Sequence, residues 1–249
     1  MIDRPTAPYN HILIYISGLP TRPLTPPSKG PDAMDLSTAR QNMITHQVNA
    51  NRVTDPLILT ALADIPRERF LPRSLWGVAY ADEDLPVAPG RALMEPRVFA
   101  RLLQAAEVEA DEAALVVGCA TGYAAAVLAR LASAVVALEV DPALAAKATE
   151  ALTDLGVLNA TVVTGPLAEG YPDQAPYDVI FVDGMVPKVP TALLDQLADG
   201  GRLVAVEGTA PIGRGVIYTH EGQGVGRFAA FDAVVGRLPG FDPQPRFRF

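Results

Sequence analysis

Residues 114–141 read ALVVGCATGYAAAVLARLASAVVALEVD, and this stretch decides the fold. It begins with a short apolar run, Ala114–Val117, which has the length of a buried strand, and continues through a glycine turn into an Ala/Leu-rich helical segment. A second apolar run, Ala134–Val140, carries Glu139 near its carboxyl end. The order of strand, glycine turn, helix, strand and acid predicts a nucleotide-type cofactor site at the carboxyl ends of parallel strands.

The spacing of the glycines indicates which cofactor this turn accepts. Residues 118–122, GCATG, give the pattern G-x-x-x-G, whereas a dinucleotide-binding turn has G-x-G-x-x-G and holds a pyrophosphate at a helix N-terminus. The pattern favours a nucleoside without phosphates, such as S-adenosylmethionine, with Glu139 accepting hydrogen bonds from the ribose hydroxyls. By itself a short Gly-x-x-x-Gly is equally compatible with an ordinary turn, and the flanking strands and Glu139 favour the cofactor.

The composition is that of a globular, acidic chain. Of its 249 residues 49% are hydrophobic, and the formal net charge is -8. An acidic chain has no nonspecific attraction to nucleic acid or to anionic membranes, so we expect neither as a partner and favour small molecules or peptides. The single cysteine, Cys119, cannot form an internal disulfide, and no apolar run approaches the roughly 20 residues that span a bilayer. These features predict a cytoplasmic protein.

Seven runs with strand character follow one another in the second half of the chain. They are Ala114–Val117, Ala134–Val140, Ala160–Val163, Val179–Val182, Leu203–Val206, Gly215–Thr219 and Gly226–Val235. Helical segments separate most of the first five, which predicts right-handed crossovers and a mainly parallel sheet. The last two lack an intervening helix and are expected to pair antiparallel at an edge. The predicted fold class is therefore α/β, Rossmann-like, with a mainly parallel seven-stranded sheet.

The chain is predicted to have three parts. Residues 1–33 contain seven prolines and little periodicity, so we expect a flexible leader. Residues 34–106 are expected to form an N-terminal helical cap, and residues 107–249 the core with the sheet. The helical segments of the cap are Asp35–Asn51, Leu57–Ile65 and Glu95–Ala106.

Short motifs on both sides of the glycine turn match a known pattern. They are Val53-Thr54-Asp55-Pro56, Ile65-Pro66-Arg67, Phe70-Leu71-Pro72, Ala79-Tyr80-Ala81-Asp82, Leu85-Pro86, Pro176-Tyr177-Asp178-Val179-Ile180 and Leu197 to Leu203. In this order, from Met43 to about Phe241, the chain resembles the protein-L-isoaspartate O-methyltransferase family, which methylates isomerised aspartyl residues so that they can revert. The resemblance implies an S-adenosylmethionine-dependent methyltransferase fold, S-adenosylmethionine as the cofactor, and isoaspartyl-containing peptides and proteins as partners.

The resemblance also implies a set of site residues. The cofactor-binding positions are Gly118, Cys119, Ala120, Gly122, Tyr123 and Glu139. Met94 stands where the family has a serine whose hydroxyl holds the substrate carboxylate, and a thioether cannot donate that hydrogen bond. We therefore expect no contribution from Met94, and expect either the hydroxyl of Tyr80 or main-chain amides near Ala88–Arg91 to replace it.

Other departures from the family pattern concern the cofactor turn and its surroundings. Ala120 replaces a glycine, and its methyl group is tolerable at this turn only with a negative φ. Asp183 stands where the family has a small uncharged residue, and Glu95, if it points inward, would repel a substrate carboxylate. Arg91 and Arg97 are expected to flank the mouth of the site, where they either steer an acidic peptide or are ordinary surface charges.

The chemistry implied by the resemblance needs few catalytic groups. An isoaspartyl carboxylate with a pKa of about 4 is ionised at neutral pH, so its methylation requires no general base. Alignment of the reactants and exclusion of water are then the main contributions of the protein. This agrees with the absence of a Ser/His/Asp or metal-ligand pattern in the sequence.

Three hypotheses follow for the function. The first, which we favour, is an active isoaspartyl methyltransferase with an altered carboxylate clamp. The second is a catalytically impaired, methyltransferase-like binding or regulatory protein. The changes at Met94, Val117, Ala120 and Pro166 would support it, because Val117 belongs to an apolar strand where the family has an acid, and Pro166 to a turn where the family has another. The third is a nicotinamide-dependent oxidoreductase, which the glycine spacing and the lack of a proton-relay pair argue against.

Overall fold

The apolar runs predicted from the sequence form one seven-stranded sheet in the computed structural model, which describes residues 35–209, 212–222 and 224–242. The strands are β1 (Leu85–Ala88), β2 (Arg91–Leu93), β3 (Ala113–Val117), β4 (Ala134–Glu139), β5 (Ala160–Thr164), β6 (Tyr177–Val186), β7 (Leu197–Glu207), β8 (Gly213–Glu221) and β9 (Gly224–Ala233). The α-helices are α1 (Leu36–Met43), α2 (Pro56–Asp64), α3 (Pro96–Ala106), α4 (Tyr123–Leu128), α5 (Pro142–Asp154) and α6 (Thr191–Leu194). The leader predicted for residues 1–33 lies outside the described residues.

The order of the strands confirms the predicted α/β sheet. Across the sheet the order is β5-β4-β3-β6-β7-β8-β9, and the first five of these strands are parallel. As predicted, β8 and β9 add to the edge as antiparallel strands. Strands β4 and β6 lie on opposite sides of β3, so the chain direction across the sheet reverses there. In open α/β sheets a crevice for ligands opens at such a reversal, outside the carboxyl ends of the strands.

The helix predicted over Asp35–Asn51 is real but not uniform. Its first turn is capped by the Asp35 carboxylate, which accepts hydrogen bonds from two main-chain amides. After Met43 the helix continues as a π-helix at Ile44–Val48 and a 3-10 turn at Asn49–Asn51. The wider turn buries the side chains of Ile44 and Val48 against the sheet side of the cap.

The antiparallel hairpin β1–β2 was not predicted from the sequence. Its strands are only four and three residues long, and prolines at positions 86 and 89 read as breakers of a strand. Leu85 pairs with Leu93, and both side chains are buried in the core. The hairpin is important for the site because it brings Arg91 and Met94 to the carboxyl edge of the sheet.

Helix α3 joins the cap to the sheet through a continuous buried cluster. Phe99 lies at its centre, with ring centroids 5.2 Å from Tyr123 at the start of α4 and 5.4 Å from Phe181 in β6. Apolar side chains of the cap and of the core therefore belong to one packed interior. The division of the chain at residues 106 and 107 remains a prediction. Among the described residues, no helix combines the length and the apolar character needed to cross a bilayer.

We expect the substitution Phe99→Ala to lower the free energy of unfolding by about 3–5 kcal/mol, because it leaves a cavity between the cap and the sheet. Phe228→Ala is the matched control, since Phe228 is 65% exposed on the edge strand β9 and its loss should change stability by less than about 0.5 kcal/mol. Urea unfolding followed by circular dichroism measures both. Equal effects of the two substitutions would contradict this description of the core.

Candidate active site

Glu139, the last residue of β4, lies at the crevice and is fully buried. Three main-chain N–H groups hold its carboxylate in place. Ala120 donates to Oε2 at 2.8 Å, and Val140 and Asp141 donate to Oε1 at 2.9 and 3.1 Å. The acid predicted from the sequence is thus oriented by the backbone toward the end of β3.

The remaining hydrogen bonds to Glu139 come from Arg91 on the hairpin. Its Nη1 donates to Oε1 at 2.5 Å and its Nη2 to Oε2 at 2.9 Å, and Nη2 also reaches the carbonyl oxygen of Gly118 at 3.0 Å. The two residues form a buried, bidentate ion pair, with side chains 7% and 0% exposed. Arg91 was expected at the mouth of the site, but the structure places it inside. It lies there because β2 packs over the glycine turn, a contact that the sequence does not reveal.

A segment that follows β9 crosses the same crevice. Met185 donates its main-chain N–H to the carbonyl oxygen of Gly236, and Leu238 donates to the carbonyl oxygen of Met185. The N–H of Gly236 is also bound by the Asp84 carboxylate at 2.5 Å. The side chain of Leu238 then lies directly over Gly118, where a Cβ atom would come within 2.8 Å of its Cδ2.

The space left in the crevice is small. A cavity of about 10 Å³ lies among Asp84, Arg91, Met94, Asp183 and Leu238, which is the room of a single water molecule. Pockets for nucleoside-sized ligands measure roughly 300–1,000 Å³. In this conformation the residues at the carboxyl ends of β3, β4 and β6 therefore do not fit S-adenosylmethionine, although the acid and the glycine turn are in position.

The other cofactor positions predicted from the sequence mostly face the core. Gly122 packs on α5, where a Cβ atom would come within 3.1 Å of the Cβ of Ala148. Tyr123 is 2% exposed and packs on aromatic rings of the cap. The thiol of Cys119 is buried, and burial raises its pKa. Of the six cofactor-binding residues predicted from the sequence, the structure brings three together at the crevice: Gly118, Glu139 and the main chain of Ala120.

The condition expected for Ala120, a negative φ, is not met. Its φ is +49°, in the left-handed region that disfavours residues with a Cβ atom, at a cost of about 1–2 kcal/mol. In this conformation its N–H points at Glu139 Oε2. We infer that the hydrogen bond to the buried carboxylate offsets the strain at this position.

The two residues considered for the substrate clamp have other roles here. The hydroxyl of Tyr80 donates to the carboxylate of Glu68 and accepts from Nε of Arg40 at 2.8 Å, so it is engaged within the cap and does not line the small cavity. Met94 does line the cavity, and its carbonyl oxygen accepts a hydrogen bond from the fully buried Arg67 at 2.6 Å. The hydroxyl of Tyr80 is therefore already engaged within the cap, and its part in the substrate clamp stays a prediction.

Charges around the cavity include two groups whose roles the sequence did not reveal. The carboxylate of Glu95 is buried and pairs with Arg97 at 2.9 Å. Asp183 is also buried, at the end of β6, and its Oδ1 has no hydrogen-bond partner among the described residues. Burial raises the pKa of Asp183 to about 7, against the opposing attraction of Arg91. In the sequence, the only sign of a special role for Asp183 was that it stands where the family has a small uncharged residue.

A larger groove of about 400 Å³ lies between the cap and α5, and Thr121 of the glycine turn borders it. Its walls include Phe70, Pro72 and Trp76 from the cap and Lys147 and Asp154 from α5. The groove has the size of a ligand pocket, but Glu139 and Arg91 do not line it. We therefore locate the candidate active site at the crevice, where the buried acid and the glycine turn meet.

The sheet order and the acid at the end of β4 define a Rossmann-like methyltransferase. Residues 38–218 match the family described as Protein-L-isoaspartate(D-aspartate) O-methyltransferase, and the chain belongs to this family. The assignment confirms the resemblance noted in the sequence and removes the oxidoreductase hypothesis.

Individual relatives agree with the family assignment. The chain is 42% identical over 173 residues to Protein-L-isoaspartate O-methyltransferase 1 of Rhodopseudomonas palustris (strain HaA2), covering 70% of this chain and 71% of the relative. It is also 42% identical over 179 residues to the Protein-L-isoaspartate O-methyltransferase of Koribacter versatilis (strain Ellin345), covering 72% and 81%. A solved Plasmodium falciparum beta-aspartate methyltransferase in complex with S-adenosyl-L-homocysteine shares the fold, with a TM-score of 0.69 and 16% identity over 82% of this chain and 98% of that one.

The raised pKa of Asp183 leads to a test by pH. An unfolded aspartate releases its proton at about pH 4, whereas folded Asp183 keeps it to about 7, so the folded protein binds more protons in between and stability falls as the pH rises. The charged groups facing it are Arg91, Asp84, Arg67 and Glu139. From about pH 5 to about pH 8 we expect the wild type to lose roughly 2 kcal/mol more than Asp183→Asn, measured by urea unfolding. Parallel pH profiles of the two proteins would contradict the assignment.

Proposed function

We propose that this chain transfers a methyl group from S-adenosylmethionine to the carboxylate of isoaspartyl residues in damaged proteins. The family match over residues 38–218 carries this proposal. The position of Glu139 supports it, because a carboxylate held by three main-chain N–H groups at the end of the second core strand is preorganised to accept hydrogen bonds from a ribose diol.

Two of the predicted residues are proposed to hold the cofactor through identifiable contacts. Glu139 would accept the ribose hydroxyls, and Gly118 would allow the ligand to approach the main chain, since a Cβ atom there would project into the crevice. The main chain of Ala120 supports Glu139 from behind. Cys119, Gly122 and Tyr123 shape the turn and its packing.

Partners and location are proposed from charge and composition. A net charge of -8 makes isoaspartyl peptides and proteins more suitable partners than nucleic acid or anionic membranes. A single buried cysteine, Cys119, is compatible with a reducing compartment, and we propose the cytoplasm.

The decisive experiment measures transfer of a labelled methyl group to an isoaspartyl peptide and to the same peptide with a normal aspartate, at millimolar S-adenosylmethionine. We expect labelling of the isoaspartyl peptide alone. Glu139→Gln should reduce labelling by about tenfold or more, because it removes a charged acceptor worth roughly 1.5–3 kcal/mol. Glu109→Gln, at an exposed glutamate outside the crevice, is the matched control and should leave labelling unchanged. Cofactor binding without transfer to either peptide would instead support the catalytically impaired alternative.

A further inference from the structure

The hydrogen bonds of Glu139 fall into two groups with different roles. Three are donated by the main chain at Ala120, Val140 and Asp141, and these orient the carboxylate. The other two are donated by the Arg91 guanidinium, one to each carboxylate oxygen. A ribose diol would donate two hydrogen bonds to the same acid. The guanidinium therefore uses the acceptor positions that the cofactor needs.

Leu238 fills the neighbouring part of the same space. Its Cδ atoms lie 2.8 and 3.1 Å from where a Cβ atom of Gly118 would stand, and its Cγ lies 2.7 Å from the corresponding point at Gly184. Gly118 directly follows β3, and Gly184 lies in β6. These two strands stand on either side of the crevice. The backbone could accept a close ligand at Gly118, but an isobutyl group from the C-terminal segment is packed there.

We propose that Arg91 and Leu238 form an internal latch that competes with S-adenosylmethionine for its own binding site. The latch is defined as the Arg91–Glu139 ion pair together with the contact of Leu238 on Gly118. Cofactor binding then requires that the guanidinium leave Glu139 and that residues 236–238 move away from Met185. The inference rests on the proposed function and adds to it an intramolecular control of cofactor affinity.

The C-terminal segment is attached by hydrogen bonds at two points, and the Leu238 side chain is buried in an apolar cluster. Leu238 is held by its N–H bond to Met185, and Gly236 by Asp84, whose other carboxylate oxygen accepts from the N–H of Glu95 at 2.7 Å. Asp84 thus connects the C-terminal segment to the start of α3. The C-terminal segment is consequently attached to the cap through Gly236, and it covers the glycine turn through Leu238.

A second position for the guanidinium is present in the crevice. Asp183 lines the same small cavity as Arg91, is 6% exposed, and has a carboxylate oxygen without a hydrogen-bond partner among the described residues. A buried arginine that lost Glu139 would be unpaired, which is strongly unfavourable. Transfer of Arg91 from Glu139 to Asp183 would avoid this penalty, so the latch has two possible partners for one cation.

The latch makes a quantitative prediction for binding. When only a fraction of molecules has an open site, the apparent dissociation constant is raised by the inverse of that fraction. Removing either half of the latch should therefore tighten cofactor binding. The opposite is expected if Arg91 or Leu238 supports the cofactor, because their loss would then weaken binding.

The test titrates wild type, Arg91→Ala, Leu238→Ala and the double variant with S-adenosylhomocysteine by calorimetry. We expect Arg91→Ala and Leu238→Ala each to lower the dissociation constant about tenfold or more relative to wild type. Arg130→Ala and Val234→Ala are the matched controls, because Arg130 is an exposed arginine paired with Asp64 and Val234 is 57% exposed near the start of the same segment. Both controls should bind as the wild type does. If Arg91→Ala fails to fold, Leu238→Ala still tests the latch.

A second measurement follows the latch itself. Amide hydrogen exchange at Met185 and Leu238 should accelerate when wild type is saturated with S-adenosylhomocysteine, since these N–H groups lose their acceptors, the carbonyl oxygens of Gly236 and Met185. The N–H of Ala120, bonded to Glu139, should stay protected. Unchanged exchange at Met185 and Leu238 in the saturated protein would overturn the latch.

The failure of the latch and the failure of the proposed function give different results. Wild type that binds S-adenosylhomocysteine as tightly as both variants do, or more tightly, would overturn the latch and leave the methyltransferase assignment intact. Latch variants that bind tightly but transfer no methyl group to the isoaspartyl peptide would overturn the function and support the latch. Absence of binding in every variant would overturn the latch, and the transfer assay on wild type would decide the function separately.

Discussion

The constraint on which the site depends is the burial of the Glu139 carboxylate. A buried charge is tolerated only when hydrogen bonds and an opposite charge replace the water it has lost. The chain meets this requirement from three directions: the glycine turn through Ala120, the main chain after β4, and the hairpin through Arg91. Removal of any of these partners leaves part of the charge unsatisfied. The positive φ of Ala120 and the position of β2 over the turn bring two of these partners to the carboxylate.

The same constraint explains why the crevice is closed. Among the described residues that bond Glu139, Arg91 is the only side chain, whereas the other donors are main-chain N–H groups that belong to the turn and to the end of β4. Leu238 adds an apolar contact over Gly118, where the main chain alone would leave a gap. Family membership and a closed crevice are therefore compatible, because the acid and the turn stand at their places in the fold while Arg91 and Leu238 occupy the space in front of them.

Much of the fold followed from local patterns. All seven strands of the sheet, the parallel direction of the first five and the antiparallel edge could be predicted because apolar runs and turn residues act over short stretches of chain. The hairpin β1–β2 could not, since its strands are short and interrupted by prolines, and its stability comes from packing of Leu85 and Leu93 into the core. The hydrogen bonds of Tyr80 could not be predicted for a related reason, because its partners Glu68 and Arg40 are distant in sequence.

The amino-acid sequence by itself determined the class of fold, the family and the position of the buried acid, because strand order, the glycine turn and Glu139 are written in consecutive residues. Tertiary structure alone decided what faces that acid. Arg91 lies 48 residues before Glu139, and Leu238 comes from the opposite end of the chain. Contacts over such separations depend on how the hairpin and the C-terminal segment pack across the sheet, and no local pattern of residues records that packing.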